Sequence, residues 1–342
     1  MVQRRPTSFD IAALAGVSQP TVSRALSGHP SVSVQTRARV RAAAEQLNYK
    51  VDKNASGLRR QQSRTLALLF FEEQSSEAGL INPFYLSMLG PMVRNCALHG
   101  YDLLISFQQL SSDWHVDYED SRKADGIILL GYGDYLEYQP LLERLVERGT
   151  RFVRWGAPGE VQFGATVSSD NEQGGFDATE HLLQGGRRAI AFLGNAEAGH
   201  PEFLDRWRGY CRALQASGIR PDERLRVDAE PSEESGRAAV TELLGRSVAF
   251  DAIFAASDVT AIGALHALQK VGRAIPREVA IVGFDDIPAA SLSSPSLSTV
   301  TQDARRAGEA LVEALIAGIQ TGAATSHVLP VRLTVRDSTG EV

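Results

Sequence analysis

The sequence predicts a small all-α head joined to a larger, two-lobed α/β core with parallel sheets. Three observations carry this. Within the first 49 residues, short apolar stripes recur at helical spacing and are interrupted by turn residues. From Arg64 onward, short apolar runs alternate with longer amphipathic stretches, the order that builds parallel sheets covered by helices. Charge divides at the same place: residues 1–62 hold ten Lys/Arg against three Asp/Glu, and the rest holds 25 against 38. A chain of 342 residues is too long for one ordinary core and suits two or three domains.

In the head, "TSFDIAALAG" gives a first helix, which Thr7 can cap while Asp10 favours the positive helix end. Ile11, Leu14 and Ala15 form its apolar face. Gly16 ends it, and Ser18 is placed to cap the next helix. "QPTVSRAL" is that helix, with Val22, Ala25 and Leu26 inward and Gly28 and Pro30 as its stop. A third helix runs from about Val34 to Leu47 on Val40, Ala43, Ala44 and Leu47. Three short helices, the first two joined by a tight turn, form a helix-turn-helix unit. Pro20 costs little in the first turn of the second helix, because amides there have no intrahelical partner. The tip of that helix then points outward, suited to a major groove. Gln19 and Pro20 face bases, Thr21 and Ser23 reach phosphates, and Arg24 can fork onto a guanine edge. A basic head on an acidic body suits a polyanion; a solvated basic tail is the alternative.

The stretch "TSFDIAALAGVSQPTVSRALSGHPSVSVQTRARVRAAAEQLNY" resembles the head of the LacI/GalR (lactose-repressor) family of bacterial regulators. The segments "DIAALAGVS", "TVSRALSG" and "LNY" carry the match. The resemblance implies base readout by Gln19, Pro20 and Arg24. The next stretch, "KVDKNASGLRRQQSRT", reads by itself as a polar, basic linker. It resembles the family's hinge, a short helix that enters the minor groove when two subunits sit on a palindrome. There Leu58 matches an apolar wedge between base steps, and Arg59 and Arg60 meet phosphates. A plain tether with an incidental leucine is the other reading. The expected DNA-contacting set is Thr7, Ser18, Gln19, Pro20, Thr21, Ser23, Arg24, Asn54, Leu58 and Arg59. The partner is then a double-stranded operator bound by a homodimer.

In the core, "TLALLFF", "YDLLISF", "DGIILLG" and "RFVRWG" form one group of strands. "GATVSSD", "AIAFLG", "AIFAAS" and "VAIVGFDD" form a second. This pattern also resembles the family, whose core is like a periplasmic sugar-binding protein with three crossings between lobes. They are expected near Val167–Asp170, Ser294–Val300 and Leu329–Arg332. The expected division is a helix-turn-helix domain over 1–49, a hinge over 50–63 and an effector-binding and dimerisation core over 64–342. Lobe 1 takes about 64–166 and 297–329, and lobe 2 about 167–296 and 330–342.

Open α/β sheets bind ligands beyond the carboxyl ends of their strands. Residues there are Phe70, Phe71, Trp155, Gly156, Ser257, Asp258 and Asp285. An aromatic ring offers a flat face to a sugar, an Asp accepts hydroxyl hydrogen bonds and an Arg donates several. By resemblance, Arg206 in "DRWRGY" and Asp285 in "VGFDDI" match the family's ligand-binding arginine and acid. "INPFY" matches a segment at the pocket mouth. The expected effector site is Phe71, Asn82, Phe84, Trp155, Arg206, Ser257 and Asp285. Each has a plainer role open to it. Asp285 could cap loop amides, Arg206 could pair with Asp205 or Glu202, and Trp155 could be core. Ser257 could cap the helix at Asp258, and Asn82 and Phe84 could only start the helix after them. Trp114 in "SDWHVDYED" is a second candidate for stacking on a sugar. Relatives often carry an acid near position 156, where this chain has "WGAP", and the stretch after Phe71 is longer and more acidic than usual.

No apolar run approaches the roughly 18 residues of a membrane span. The start "MVQRRPTSFDIAALAG" lacks the apolar stretch of an export signal. Cys96 and Cys211 match no metal spacing and suit thiols in a reducing cytoplasm. Motifs for phosphate-loop, nucleophile-elbow and zinc-protease chemistry are absent, so neither an enzyme nor a cofactor is expected. The expectation is a cytoplasmic, sequence-specific transcriptional regulator, a repressor of carbohydrate-use genes, controlled by a sugar-like effector between the lobes. A nucleobase or sugar-phosphate corepressor in the same architecture is the alternative. The helix after Pro83, with Leu86, Met88, Leu89, Met92 and Val93, is a candidate dimer face or simply core.

Overall fold

The structure is a computed structural model that describes residues 6–49, 62–71, 81–157, 163–323 and 325–340. The chain divides into two compact units, Met1–Ser63 and Arg64–Val342. In the first, helices α1 (Ser8–Ala15), α2 (Gln19–Leu26) and α3 (Val34–Gln46) enclose one cluster. Ile11, Val22, Ala25 and Val40 are fully buried at its centre. The Thr7 amide and hydroxyl both donate to Asp10, each at 2.7 Å, which fixes the start of α1. Gly16 turns the chain at φ 62°, a left-handed conformation that costs glycine little. Leu14 departs from the expected face and is 47% exposed. The inward stripe of α1 runs through Ile11, Ala12 and Ala15 instead, which leaves Leu14 on the outer edge.

The second unit holds two six-stranded sheets. The first contains β1 (Thr65–Phe70), β2 (Asp102–Phe107), β3 (Ile127–Leu130), β4 (Phe152–Trp155), β5 (Ala165–Ser169) and β11 (His327–Leu329), in the order β11-β5-β4-β3-β1-β2. All its pairings are parallel. The second contains β6 (Ile190–Leu193), β7 (Arg226–Val227), β8 (Ala252–Ala255), β9 (Ala280–Asp285), β10 (Ser298–Gln302) and β12 (Val331–Thr334), in the order β12-β10-β9-β8-β6-β7. Only β12 runs antiparallel, against β10. Helices α4 (Pro83–Leu98), α5 (Tyr135–Glu147), α6 (Asn171–Gln184), α7 (Pro201–Ala216), α8 (Glu233–Gly245), α9 (Asp258–Lys270), α10 (Pro288–Leu292) and α11 (Ala304–Thr321) complete the lobes. Strands β1, β3, β6, β8 and β9 bury nearly every residue, as strands covered on both faces must.

One strand grouping and the second of the three expected crossings need correction, while the first and third crossings fall within their expected ranges. "GATVSSD" supplies β5, which pairs with β4 and so belongs to the first lobe. Its burial between β4 and β11 outweighs its position in the chain. The segment 298–302 pairs with β9 and β12, so it belongs to the second lobe and not to the first. The second crossing therefore falls at Asp303, after Gln302. The three connections are then Asp170, Asp303 and Pro330. Asp170 leaves β5 and caps α6 through the Gln173 amide at 3.1 Å. Asp303 leaves β10 and caps α11 through the Arg306 amide at 2.9 Å. The crossings at Asp170 and Asp303 thus each end as the start of a helix in the opposite lobe, while Pro330 joins strand to strand.

Along α4, Met88 and Met92 are fully buried in the first lobe, while Leu86 and Val93 are 45% and 47% exposed. The candidate dimer face thus splits by helical period into a core side and an outer side. Cys96 is buried and Cys211 half-buried, neither in a disulfide, and burial raises each thiol to about 11. Among the described residues no helix is long and apolar enough to cross a membrane.

Helices α6 and α7 cross at glycines. A Cβ on Gly175 would overlap the Arg206 carbonyl, and one on Gly209 would overlap the Glu172 carbonyl. Gly175→Ala is expected to push α7 outward and cost about 1–3 kcal/mol by overpacking, read as a lower urea midpoint at unchanged m-value.

Candidate functional site

In the head, α2 presents its first turn outward. Val22 is fully buried and anchors the helix, whereas Pro20 and Arg24 are exposed. Pro20 occupies the first turn after Ser18. Ser18 stands at the cap position, but its hydroxyl pairs with that of Thr21 at 2.9 Å. Gln19 is half-buried, and its amide nitrogen donates to the Ser8 hydroxyl at 3.2 Å. Ser23 is half-buried on the same helix. Thr7 is engaged with Asp10 at the start of α1. Asn54, Leu58, Arg59 and Arg60 lie outside the described residues.

In the core, a cavity of about 620 Å³ opens between the two sheets. Its floor follows from topology. In each sheet the chain leaves the first strand in one direction and returns on its other side, β1 between β2 and β3 and β6 between β7 and β8. Loops part at such a point and leave a crevice. All seven residues picked from the sequence line the cavity: Phe71, Asn82, Phe84, Trp155, Arg206, Ser257 and Asp285.

Arg206 is the most tightly held. Its Nε donates to Asn171 Oδ1 at 2.9 Å and its Nη1 to the Ala256 carbonyl. The guanidinium lies 3.7 Å over the centre of the Phe284 ring. Asp285 Oδ1 stands 3.8 Å from Nη1 and accepts from Gln302 Nε2 at 2.6 Å. Asp285 is the partner of Arg206 in place of Asp205, which pairs with Arg208 at 2.8 Å. The Asp285 backbone sits at φ 121° and that of Asp286 at φ 58°, conformations that side-chain-bearing residues rarely adopt. Burial raises the Asp285 carboxyl to about 6, opposed by the Arg206 charge and the Gln302 hydrogen bond. Behind it Asp258 is fully buried, accepting from Thr299 Oγ1 at 2.5 Å and from the Ile287 amide at 2.9 Å. Burial, with Asp285 nearby, raises it well above the usual carboxylate range.

The plainer roles hold for some residues alongside their place in the cavity. Ser257 Oγ accepts from the Thr260 amide at 3.3 Å and caps α9. Asn82 Oδ1 accepts from the Phe84 amide at 2.9 Å and caps α4. Trp155 is 5% exposed and packs on Phe84, ring centres 5.5 Å apart. Trp114 does not reach this cavity. It lines a separate one of about 200 Å³, and its indole donates to the Gln108 carbonyl at 3.0 Å. His115 pairs with Thr150 Oγ1 at 2.8 Å, and no cluster among the described residues could hold a metal ion.

Sequence reasoning missed Tyr85, Tyr132, Glu202 and Gln302, which also line the cavity. Tyr132 follows β3 as Phe71 follows β1, so the strand-end rule reaches it. Gln302 ends β10 and was hidden by the misplaced second crossing. No spacing marks Glu202.

Residues 9–52 match the model for bacterial regulatory proteins of the lacI family, and residues 179–339 match a periplasmic binding protein-like domain. The regulator CelR of Thermobifida fusca is 33% identical, with 98% of this chain and 99% of that protein covered. The chain belongs to the LacI family of transcriptional regulators. A solved CelR–cellobiose complex is similar at 31% identity and TM-score 0.72, covering 98% of this chain and all of that one. The lac repressor dimer bound to operator and an anti-inducer shares the fold, at TM-score 0.82 and 23% identity over 99% of this chain and all of that one. The LacI-family architecture accounts for both described sites: a helix-turn-helix head and a two-lobed core with a cleft. It is a regulator's architecture and not an enzyme's.

The buried acids set a pH dependence. A carboxyl raised in the folded state binds its proton more tightly there than in the unfolded chain. Its contribution to stability is therefore complete below the unfolded value near 4 and is lost as pH rises through about 6. Asp258 acts in the same sense. Chemical denaturation of wild type and Asp285→Asn between pH 4 and 7 is expected to give a steeper fall in stability with pH for wild type.

Proposed function

We propose that this regulator is a repressor that binds a palindromic operator as a homodimer and is controlled by a neutral sugar in its interlobe cavity. The observation that carries this is the convergence of two walls on one 620 Å³ space. Phe71, Phe84, Tyr85 and Trp155 give flat apolar faces for a sugar ring, and Arg206 and Asp285 give opposed polar groups for its hydroxyls. The cellobiose complex of a relative supports a sugar, and cellobiose is the first to test.

Charge favours a neutral sugar over a sugar phosphate. Asp134, Glu137, Glu202, Glu230 and Asp285 line the cavity, with Arg206 and His200 as the basic side chains. Arg206 is already engaged by Asn171, Ala256 and Asp285. Among the described lining residues, a phosphate dianion would face five acids and one guanidinium that is already engaged.

The exposed outer side of α4, through Leu86 and Val93, fits a dimer contact with a second copy. Leu58 fits the minor-groove wedge at the centre of a palindrome. On the head, Pro20 and Arg24 are exposed at the tip of α2 and fit base readout, with Gln19, Thr21 and Ser23 beside them. Arg24→Ala is expected to cost about 1–3 kcal/mol on the cognate operator and much less on random DNA. Equal losses on both would make Arg24 a phosphate contact.

The cavity is tested by thermal shift with cellobiose, glucose, glucose 6-phosphate and adenine, followed by operator binding with and without whichever ligand stabilises the protein. A neutral sugar is expected to stabilise it and glucose 6-phosphate is not. Asp285→Ala is expected to bind operator as wild type does and to lose the ligand response, because deleting one partner strands a buried polar group at about 1–3 kcal/mol. Stabilisation by adenine or the phosphate alone would reverse the reading.

A further inference from the structure

Glu202 belongs to the first turn of α7 in the second lobe, yet its carboxylate is spent on the first. Oε1 accepts from the Ala157 amide at 2.7 Å, and Oε2 accepts from the Tyr132 hydroxyl. Tyr132 follows β3 and Ala157 follows β4, so both partners lie at strand ends of the first sheet. Gly156 makes room for this. Its backbone sits at φ 148°, and a Cβ there would stand 2.7 Å from Glu202 Oε1. The acid thus fills the space over the end of β4 that a side chain on residue 156 would occupy.

The same imaginary Cβ would stand 2.7 Å from Arg154 Nη1. Arg154 is 1% exposed. Its Nη2 donates to the Ala157 carbonyl at 2.9 Å, but Nε and Nη1 have no hydrogen-bond partner. A buried guanidinium is costly without a nearby anion. Glu202 brings a negative charge to the same backbone turn from the opposite lobe. A second interlobe bond lies beside it, from the Tyr135 amide to the Gly199 carbonyl at 2.8 Å.

We propose that Glu202 is an interlobe latch and, in the same contact, a ligand-recognising acid, so that ligand binding and lobe closure are coupled through one side chain. Each carboxylate oxygen has two lone pairs, and the bonds to Ala157 and Tyr132 use one on each. Glu202 also lines the cavity, so the remaining pairs are available to a ligand hydroxyl. The carboxylate is held where a ligand meets it only while the lobes are closed. The latch stands on this geometry alone; the ligand contact rests on the function proposed above.

Amide hydrogen exchange on the full-length protein tests the latch. In Glu202→Ala, exchange at Tyr135 is expected to rise about tenfold, because its bond to Gly199 is interlobe yet untouched by the substitution. Exchange at Ile253 in β8 should stay as in wild type and reports on folding. Faster exchange at Ala157 with Tyr135 unchanged would make Glu202 a local cap and overturn the latch. If Ile253 also loses protection, Glu202→Gln decides, since it keeps an acceptor for Ala157 but loses the charge. A Tyr135 rate between wild type and Glu202→Ala is then expected, and a wild-type rate overturns the latch. Calorimetry with cellobiose and glucose tests the ligand contact: Glu202→Gln should weaken whichever binds by about tenfold. Equal affinity would overturn the contact. If neither sugar binds wild type, the sugar reading fails and the contact falls with it, while Tyr135 exchange still decides the latch.

Discussion

The buried guanidinium of Arg206 is the constraint around which the core is arranged. It ties α7 to Asn171 on α6, to the carbonyl that follows β8, and to the face of Phe284 on β9. A charge taken out of water must be met by aligned acceptors, and deleting one partner of such a pair costs about 3–5 kcal/mol. Four elements are therefore locked in mutual register before any ligand is considered. The glycine crossing of α6 and α7 serves the same end, because the Arg206 carbonyl rests where a Gly175 side chain would be.

Asp285 depends on that arrangement. Its positive φ is a conformation that costs of order 1–3 kcal/mol and persists only when its surroundings over-determine it. They do. Asp286 is held by Arg336 at 2.6 Å and Thr301 at 2.9 Å, and Asp258 holds the Ile287 amide from below. The result is an acid aimed across the cavity towards an arginine that is already committed elsewhere.

The connections between lobes are economical. Two of them are single Asp residues that end a strand in one lobe and cap a helix in the other. A capped crossing fixes both elements it joins and leaves the peptide between them to absorb any change of angle. Lobe closure in this regulator then rests on contacts made across the cleft, where Tyr132, Ala157 and Tyr135 meet Glu202 and Gly199.

Local chemistry determined much of this protein. Helical spacing, Gly16 and Pro20 specify the head, and apolar strands alternating with helices specify parallel sheets with their ligand at the strand ends. Of the seven residues picked for the cavity, Phe71, Trp155, Ser257 and Asp285 are legible because strand ends are legible, whereas Asn82, Phe84 and Arg206 are legible only through the family resemblance of the segments that hold them. What the sequence left open was decided by pairing between distant segments. Nothing local assigns Ala165–Ser169 or Ser298–Gln302 to a lobe; the neighbours that bury them do. The same holds for Leu14, turned outward because Ala12 takes the inner edge of α1, and for Trp114, drawn to a different cavity by the Gln108 carbonyl. Glu202 is the clearest case. By sequence it is one acid on a helix, and only the approach of the second lobe to Gly156 gives it a place over the end of β4.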